Sequence, residues 1–135
     1  MPILCRVTRG DLTESIHVVF AVAVDETGTV FYSTGDPYYL TCIRSSLKPF
    51  QAAATVKAGA VDAAGFSDDE LAMMCASHSG EDIHVRTVQS MLNKLGLSTA
   101  DLECGSHFPS DKITRHKMIK EGKLPEPIHN NCSGK

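Results

Sequence analysis

The stretch Val18-Val19-Phe20-Ala21-Val22-Ala23-Val24 constrains this chain more than any other. It is apolar at both parities, so no alternation turns one face to water. Such a run predicts a strand buried on both faces, inside a sheet rather than at its edge. A strand of that kind needs covering helices, so the expected class is α/β (α+β), a sheet covered by helices. The neighbouring segments fit a sheet. Residues 3–8, 16–24 and 29–33 are rich in Val, Ile, Phe and Tyr, and Asp25-Glu26-Thr27-Gly28 supplies a turn, which predicts a β-hairpin.

Helix signals begin after this β-rich third. One helix is expected from Ser45 or Ser46 to about Ala58, with Gly59 as its C-terminal cap. Pro49 is tolerated there because a first-turn N–H has no intrahelical acceptor. Ser67 and Glu70 have the spacing of a capping box and open a second helix that runs to about Cys75. A third covers about 83–95, with Val85, Val88, Met91, Leu92 and Leu95 on one face and Gly96 closing it. A fourth, mostly polar, covers about 111–121. No internal repeat or low-complexity linker interrupts the pattern. The segment His129 to Lys135 is dense in polar groups of catalytic type where a domain commonly ends in a docked helix or a fraying tail. The expectation is therefore a truncated core, completed by further chain.

Composition removes several functions. A formal net charge of -3 over 135 residues leaves no basic stripe for phosphates, and no Arg/Lys cluster interleaves with aromatics, which argues against nucleic acid. Neither a charged leader nor a membrane-length apolar run is present, so the expected location is the cytoplasm. Five scattered cysteines without a Cys-x-x-Cys spacing argue against a disulfide framework and a zinc ribbon. Cys5, Cys42, Cys75 and Cys104 are expected as small core residues.

Three polar clusters carry the candidate chemistry. Ser45-Ser46-Leu47-Lys48 sets a hydroxyl and an amine three residues apart at a helix start, on one face. A serine hydroxyl needs a base, and an uncharged lysine, favoured by burial and the positive helix end, can be one. Ser-x-x-Lys is the arrangement of penicillin-binding proteins and related β-lactamases, although the motif alone also fits a capping serine beside a solvated lysine. Ala76-Ser77-His78-Ser79-Gly80-Glu81 offers hydroxyls, an imidazole and a carboxylate in an inter-helix loop. The bland reading makes Ser79 a cap and Glu81 a charge at the helix N-terminus. The His78, Glu81 and His84 spacing lacks the order of an established metal motif. Asn131-Cys132-Ser133-Gly134-Lys135 gathers amide, thiol and amine around a glycine, material for holding a carboxylate or an oxyanion.

Taken together, Thr8-Arg9-Gly10-Asp11, Gly35-Asp36-Pro37, Arg44-Ser45-Ser46-Leu47-Lys48-Pro49, Ala76 to Glu81, Cys104-Gly105-Ser106-His107 and Asn130 to Lys135 resemble the rhizobial-type, thermolabile L-asparaginase II family. The similarity covers the whole chain, in order. The resemblance implies hydrolysis of L-asparagine to L-aspartate and ammonia, on a fold similar to serine β-lactamases and penicillin-binding proteins, commonly as a homodimer. It implies no required organic cofactor. It places Ser45 with Lys48 in one Ser-Lys dyad and Ser77 in a second, whose lysine lies downstream of this chain. It sets Arg44, His78, Glu81, Asn131, Cys132 and Lys135 around the substrate, with Cys132 and Lys135 as candidate zinc ligands beside a further downstream cysteine. Family members are roughly twice this length or more, so residues 1–135 correspond to the N-terminal portion of a single asparaginase II-like domain. Two rivals are a penicillin-binding-type hydrolase, suggested by the same Ser-x-x-Lys, and a non-catalytic remnant or binding module.

Overall fold

Two β-hairpins form the first of two compact units, Met1–Cys42 and Ile43–Lys135, in a computed structural model that describes residues 1–135. Strand β1 (Ile3–Arg9) pairs antiparallel with β2 (Leu12–Val19), and β3 (Ala21–Val24) pairs with β4 (Val30–Thr34), as two separate two-stranded sheets. The first turn is the two-residue loop Gly10-Asp11, in which Gly10 takes φ 60° as tight hairpins require. The second is organised by Asp25. Its Oδ1 accepts from the backbone N–H of Thr27 and Thr29, each at 2.9 Å, and from the Thr27 hydroxyl at 2.6 Å. These donors, the Thr27 hydroxyl foremost, hold the exposed Asp25 carboxyl below its ordinary range.

The run expected to be one strand over 16–24 breaks at Phe20, between β2 and β3, so a single apolar stretch serves two hairpins. The Phe20 ring stacks on Tyr39, centroids 4.5 Å apart and 8° from parallel. It also fills the space in which a Cβ at Gly35 would lie. Burial on both faces is not found: Val18, Val22 and Val24 remain 56%, 48% and 52% exposed. The cause is sheet size, since a two-stranded pair leaves both of its faces uncovered.

The second unit is helical. A 3-10 turn at Arg44–Leu47 leads into α1 (Lys48–Lys57), with Pro49 in its first turn; α2 (Ala60–Ala63), α3 (Asp68–Cys75), α4 (Asp82–Leu95) and α5 (Lys112–Lys120) follow. The capping box is formed, with Ser67 Oγ accepting from Glu70 N at 3.3 Å and Glu70 Oε2 from Ser67 N at 2.7 Å. Gly96 closes α4 in the left-handed conformation, and Asp111 Oδ2 caps α5 by accepting from Thr114 N at 2.7 Å. The apolar core is Met73, Val88, Met91, Leu92 and Ile128. Val85 packs partly against it, whereas Leu95, expected on the same face, is 51% exposed one turn further on.

A buried carboxylate joins α3 to α4. Glu70 is 3% exposed, and its oxygens accept from Ser90 Oγ at 2.7 Å and from Lys94 Nζ at 2.6 Å. Burial raises the carboxyl's pKa, but the Lys94 ammonium, the Ser67 N–H and the Ser90 hydroxyl together outweigh it and hold the group at about 2. The whole is a mixed α/β chain with helices and small antiparallel sheets. No helix is long and apolar enough to cross a membrane.

Candidate active site

Lys48 begins α1 and is the most deeply buried charged side chain, 1% exposed. An ammonium leaves water only where other acceptors replace water. Three do so here: Nζ donates to Ala76 O at 2.5 Å, to Ser77 Oγ at 2.9 Å and to Asn131 O at 3.3 Å. Ala76 and Ser77 lie in the loop that leaves α3, and Asn131 in the last turn of the chain, so the amine ties three separate segments together. Ser77 itself is an exposed residue. Neither a backbone nor a side-chain hydrogen bond uses the Ser77 N–H.

Ser45, expected beside this lysine, makes no hydrogen bond to its amine. It sits exposed on the 3-10 turn, its side chain makes no hydrogen bond, and only its carbonyl accepts, from Lys48 N. The neighbouring Ser46 hydroxyl is spent on Ile43 O. Arg44, at the head of that turn, is exposed and has φ 49°, the sole non-glycine residue with positive φ. Left-handed backbone at an arginine stores strain of about 1–3 kcal/mol, here one residue before Ser45.

His78 is 5% exposed, and both ring nitrogens are engaged by protein. Nδ1 accepts from Gly80 N at 3.1 Å, which fixes the neutral tautomer with the proton on Nε2, and Nε2 donates to Ser133 Oγ at 2.9 Å. Burial first, then the positive charges of His84, Lys48, His107 and His129, lower the imidazole's pKa to about 4. Glu81 is exposed and accepts from Ser79 Oγ at 2.6 Å, with His84 Nδ1 3.9 Å away. Gly80 needs its lack of a side chain: φ is 79°, and a Cβ would lie 3.0 Å from Pro109 Cβ and 3.1 Å from His129 O.

The C-terminal cluster is split between structure and surface. Asn130 is 8% exposed and fully occupied, donating to Cys104 O at 2.6 Å and Gly105 O at 3.2 Å and accepting from Cys132 N at 2.9 Å. Asn131 is half-buried, with its carbonyl on Lys48 and its N–H donating to His107 Nε2 at 3.3 Å. Cys132 and Lys135 line a cavity of about 420 Å³ together with Cys104. Burial, with the neighbouring Cys132, pushes the Cys104 thiol up. All five cysteines are free thiols, and Cys5 and Cys42, expected in the core, are exposed, whereas Cys75, Cys104 and Cys132 are half-buried. Nowhere do three or more His, Cys, Asp or Glu side chains gather to hold a metal ion. Cys132 and Lys135 alone do not complete a tetrahedral zinc set, so these residues do not by themselves fit that ion.

Sequence reasoning missed Ser133 and Asn130 as fixing elements, and their only signal was position inside a polar cluster. It also missed Glu70 as a buried charge, because its place in the capping box already accounted for it.

A mixed α/β chain thus holds a buried lysine amine against the side chain of an exposed serine. The family follows from comparison: the L-asparaginase II family model matches residues 5–135, nearly the whole chain, and the chain belongs to that family, one of asparaginase-type amidohydrolases. No curated protein matches it.

Proposed function

We propose that this protein hydrolyses L-asparagine to L-aspartate and ammonia by acyl transfer, with Ser77 as nucleophile and Lys48 as general base. The observation that carries the reading is the 2.9 Å contact between Lys48 Nζ and Ser77 Oγ. Uncharged Lys48 takes the hydroxyl proton as Ser77 Oγ bonds to the side-chain amide carbon. The resulting oxyanion is met by the unused Ser77 N–H and the Asn131 amide. The C–N bond then breaks, the proton passes from Lys48 to the departing nitrogen, and ammonia leaves. Water, deprotonated by the same amine, attacks the ester; L-aspartate is released and Ser77 Oγ regains its proton. Arg44 and Lys135 suit the substrate's carboxylate and Glu81 its ammonium. Ser45 is the second hydroxyl of this reading, near enough in sequence to enter the site from the 3-10 turn.

The same proposal gives the protein a β-lactamase-like fold, a homodimeric, cytoplasmic state and no required organic cofactor, and makes residues 1–135 the N-terminal portion of one domain. The exposed apolar strands of the first unit support that last point. Zinc plays no part in the steps above.

Ammonia release from asparagine, measured on this chain and on one extended beyond Lys135, tests the reading. Ser77→Ala and Lys48→Ala are each expected to lower turnover on the order of 10³-fold or more. Near-normal release from either variant excludes the Ser77–Lys48 pair, and a loss confined to Ser45→Ala moves the nucleophile there.

A further inference from the structure

We infer that His78 is a positioning residue rather than a substrate ligand: its neutral ring clamps the Ser77 loop onto the 128–133 turn and so brings Ser77 Oγ and Asn131 O to the same amine. The inference rests on the Ser77–Lys48 reading and goes beyond it. Four contacts carry it. His78 N donates to Asn131 O at 3.2 Å, the same carbonyl that accepts from Lys48. The ring's Nε2–H donates to Ser133 Oγ, and the Ser133 hydroxyl in turn donates a hydrogen bond to Ile128 O at 2.9 Å, so the chain of donors ends on backbone. Nδ1 accepts from Gly80 N, bending the loop back over the ring.

Both side chains of this relay are 5% exposed, and both ring nitrogens and the Ser133 hydroxyl proton are already engaged by protein. The far side of the loop is closed as well, since Ser79 O accepts from Asp111 N at 3.1 Å and Gly80 lies against Pro109. The Lys48 amine therefore meets carbonyls from two segments that the His78 backbone N–H and imidazole together hold against each other. Moving the 128–133 turn away from the loop removes Asn131 O from the amine while leaving Ala76 O and Ser77 in place.

Two conservative replacements separate the halves of the ring. In His78→Asn the side-chain oxygen reaches Gly80 N, but nothing reaches Ser133; in His78→Gln the terminal NH₂ reaches Ser133. Amide hydrogen exchange at residue 78 reads the clamp without reference to reactivity. Acylation of Ser77 by p-nitrophenyl acetate, followed by mass spectrometry, reads its effect on the nucleophile. Exchange is expected to quicken at least about tenfold in His78→Asn and Ser133→Ala and to stay within about threefold of wild type in His78→Gln, with acylation slowed in the same order. Unchanged exchange in Ser133→Ala, or equal behaviour of the Asn and Gln variants, overturns the inference. Quickened exchange with no acylation of the wild-type chain leaves the clamp standing and removes the proposed role of Ser77.

Discussion

The hairpin unit and the helical unit solve the same problem by opposite means. In residues 1–42 the order comes from main-chain ladders and locally organised turns, and apolar side chains such as Ile16, Val22 and Phe31 stay 60%, 48% and 72% exposed. In residues 43–135 it comes from a small apolar cluster together with buried polar groups, Lys48, Glu70, His78, Asn130 and Ser133. No buried side-chain nitrogen or oxygen is left without a partner. Satisfied polar networks specify one arrangement because each member is costly to strand. Lys48 and Ser77 lie in the unit built that way, where directional bonds can hold an amine and a hydroxyl at fixed separation.

The contrast can be broken most severely at Glu70. Removing its charge in Glu70→Gln takes the carboxylate from Lys94, which keeps Gly65 O, and weakens the bonds from Ser67 and Ser90; it is expected to cost about 3 kcal/mol, read as a lower midpoint in urea unfolding. Acid should then expose two steps in wild-type stability. His78, held at about 4 against an ordinary 6.5, binds its proton more readily when unfolded; its contribution is complete above pH 6.5 and is lost as pH falls toward 4. Glu70, held at about 2 against 4.5, contributes fully above pH 4.5, and that contribution disappears as pH falls through 2. Each step is worth on the order of 3 kcal/mol. Glu70→Gln should abolish the lower step and leave the upper one.

A smaller effect sharpens the comparison through packing. Val88 is 1% exposed at the centre of the apolar cluster, and Val88→Ala is expected to cost about 2 kcal/mol. Val22→Ala, in a strand where that side chain is 48% exposed, should stay within about 0.5 kcal/mol in the same assay. Equal losses at the two positions would mean that the hairpin unit is covered in solution and that the contrast between the units is smaller than the exposures imply.

Local rules alone fixed much of the helical unit. The Ser67 and Glu70 spacing became a capping box, Gly59 and Gly96 took positive φ at the helix ends, and Pro49 fell in the first turn where it is harmless. Those features depend on backbone groups a few residues apart, which sequence spacing reports directly. The break at Phe20 was not legible, because an unbroken apolar run carries no mark of where pairing changes partner.

The polar clusters were likewise readable as a set, and their order along the chain carried the resemblance to the asparaginase II family. Which hydroxyl meets Lys48 was decided only by the tertiary structure. Spacing offers Ser45, three residues away; the fold supplies Ser77, 29 residues away. The physical reason is desolvation: a lysine amine enters the interior only where carbonyl oxygens receive its protons, and those oxygens belong to Ala76 and Asn131, which no local pattern brings to the start of α1.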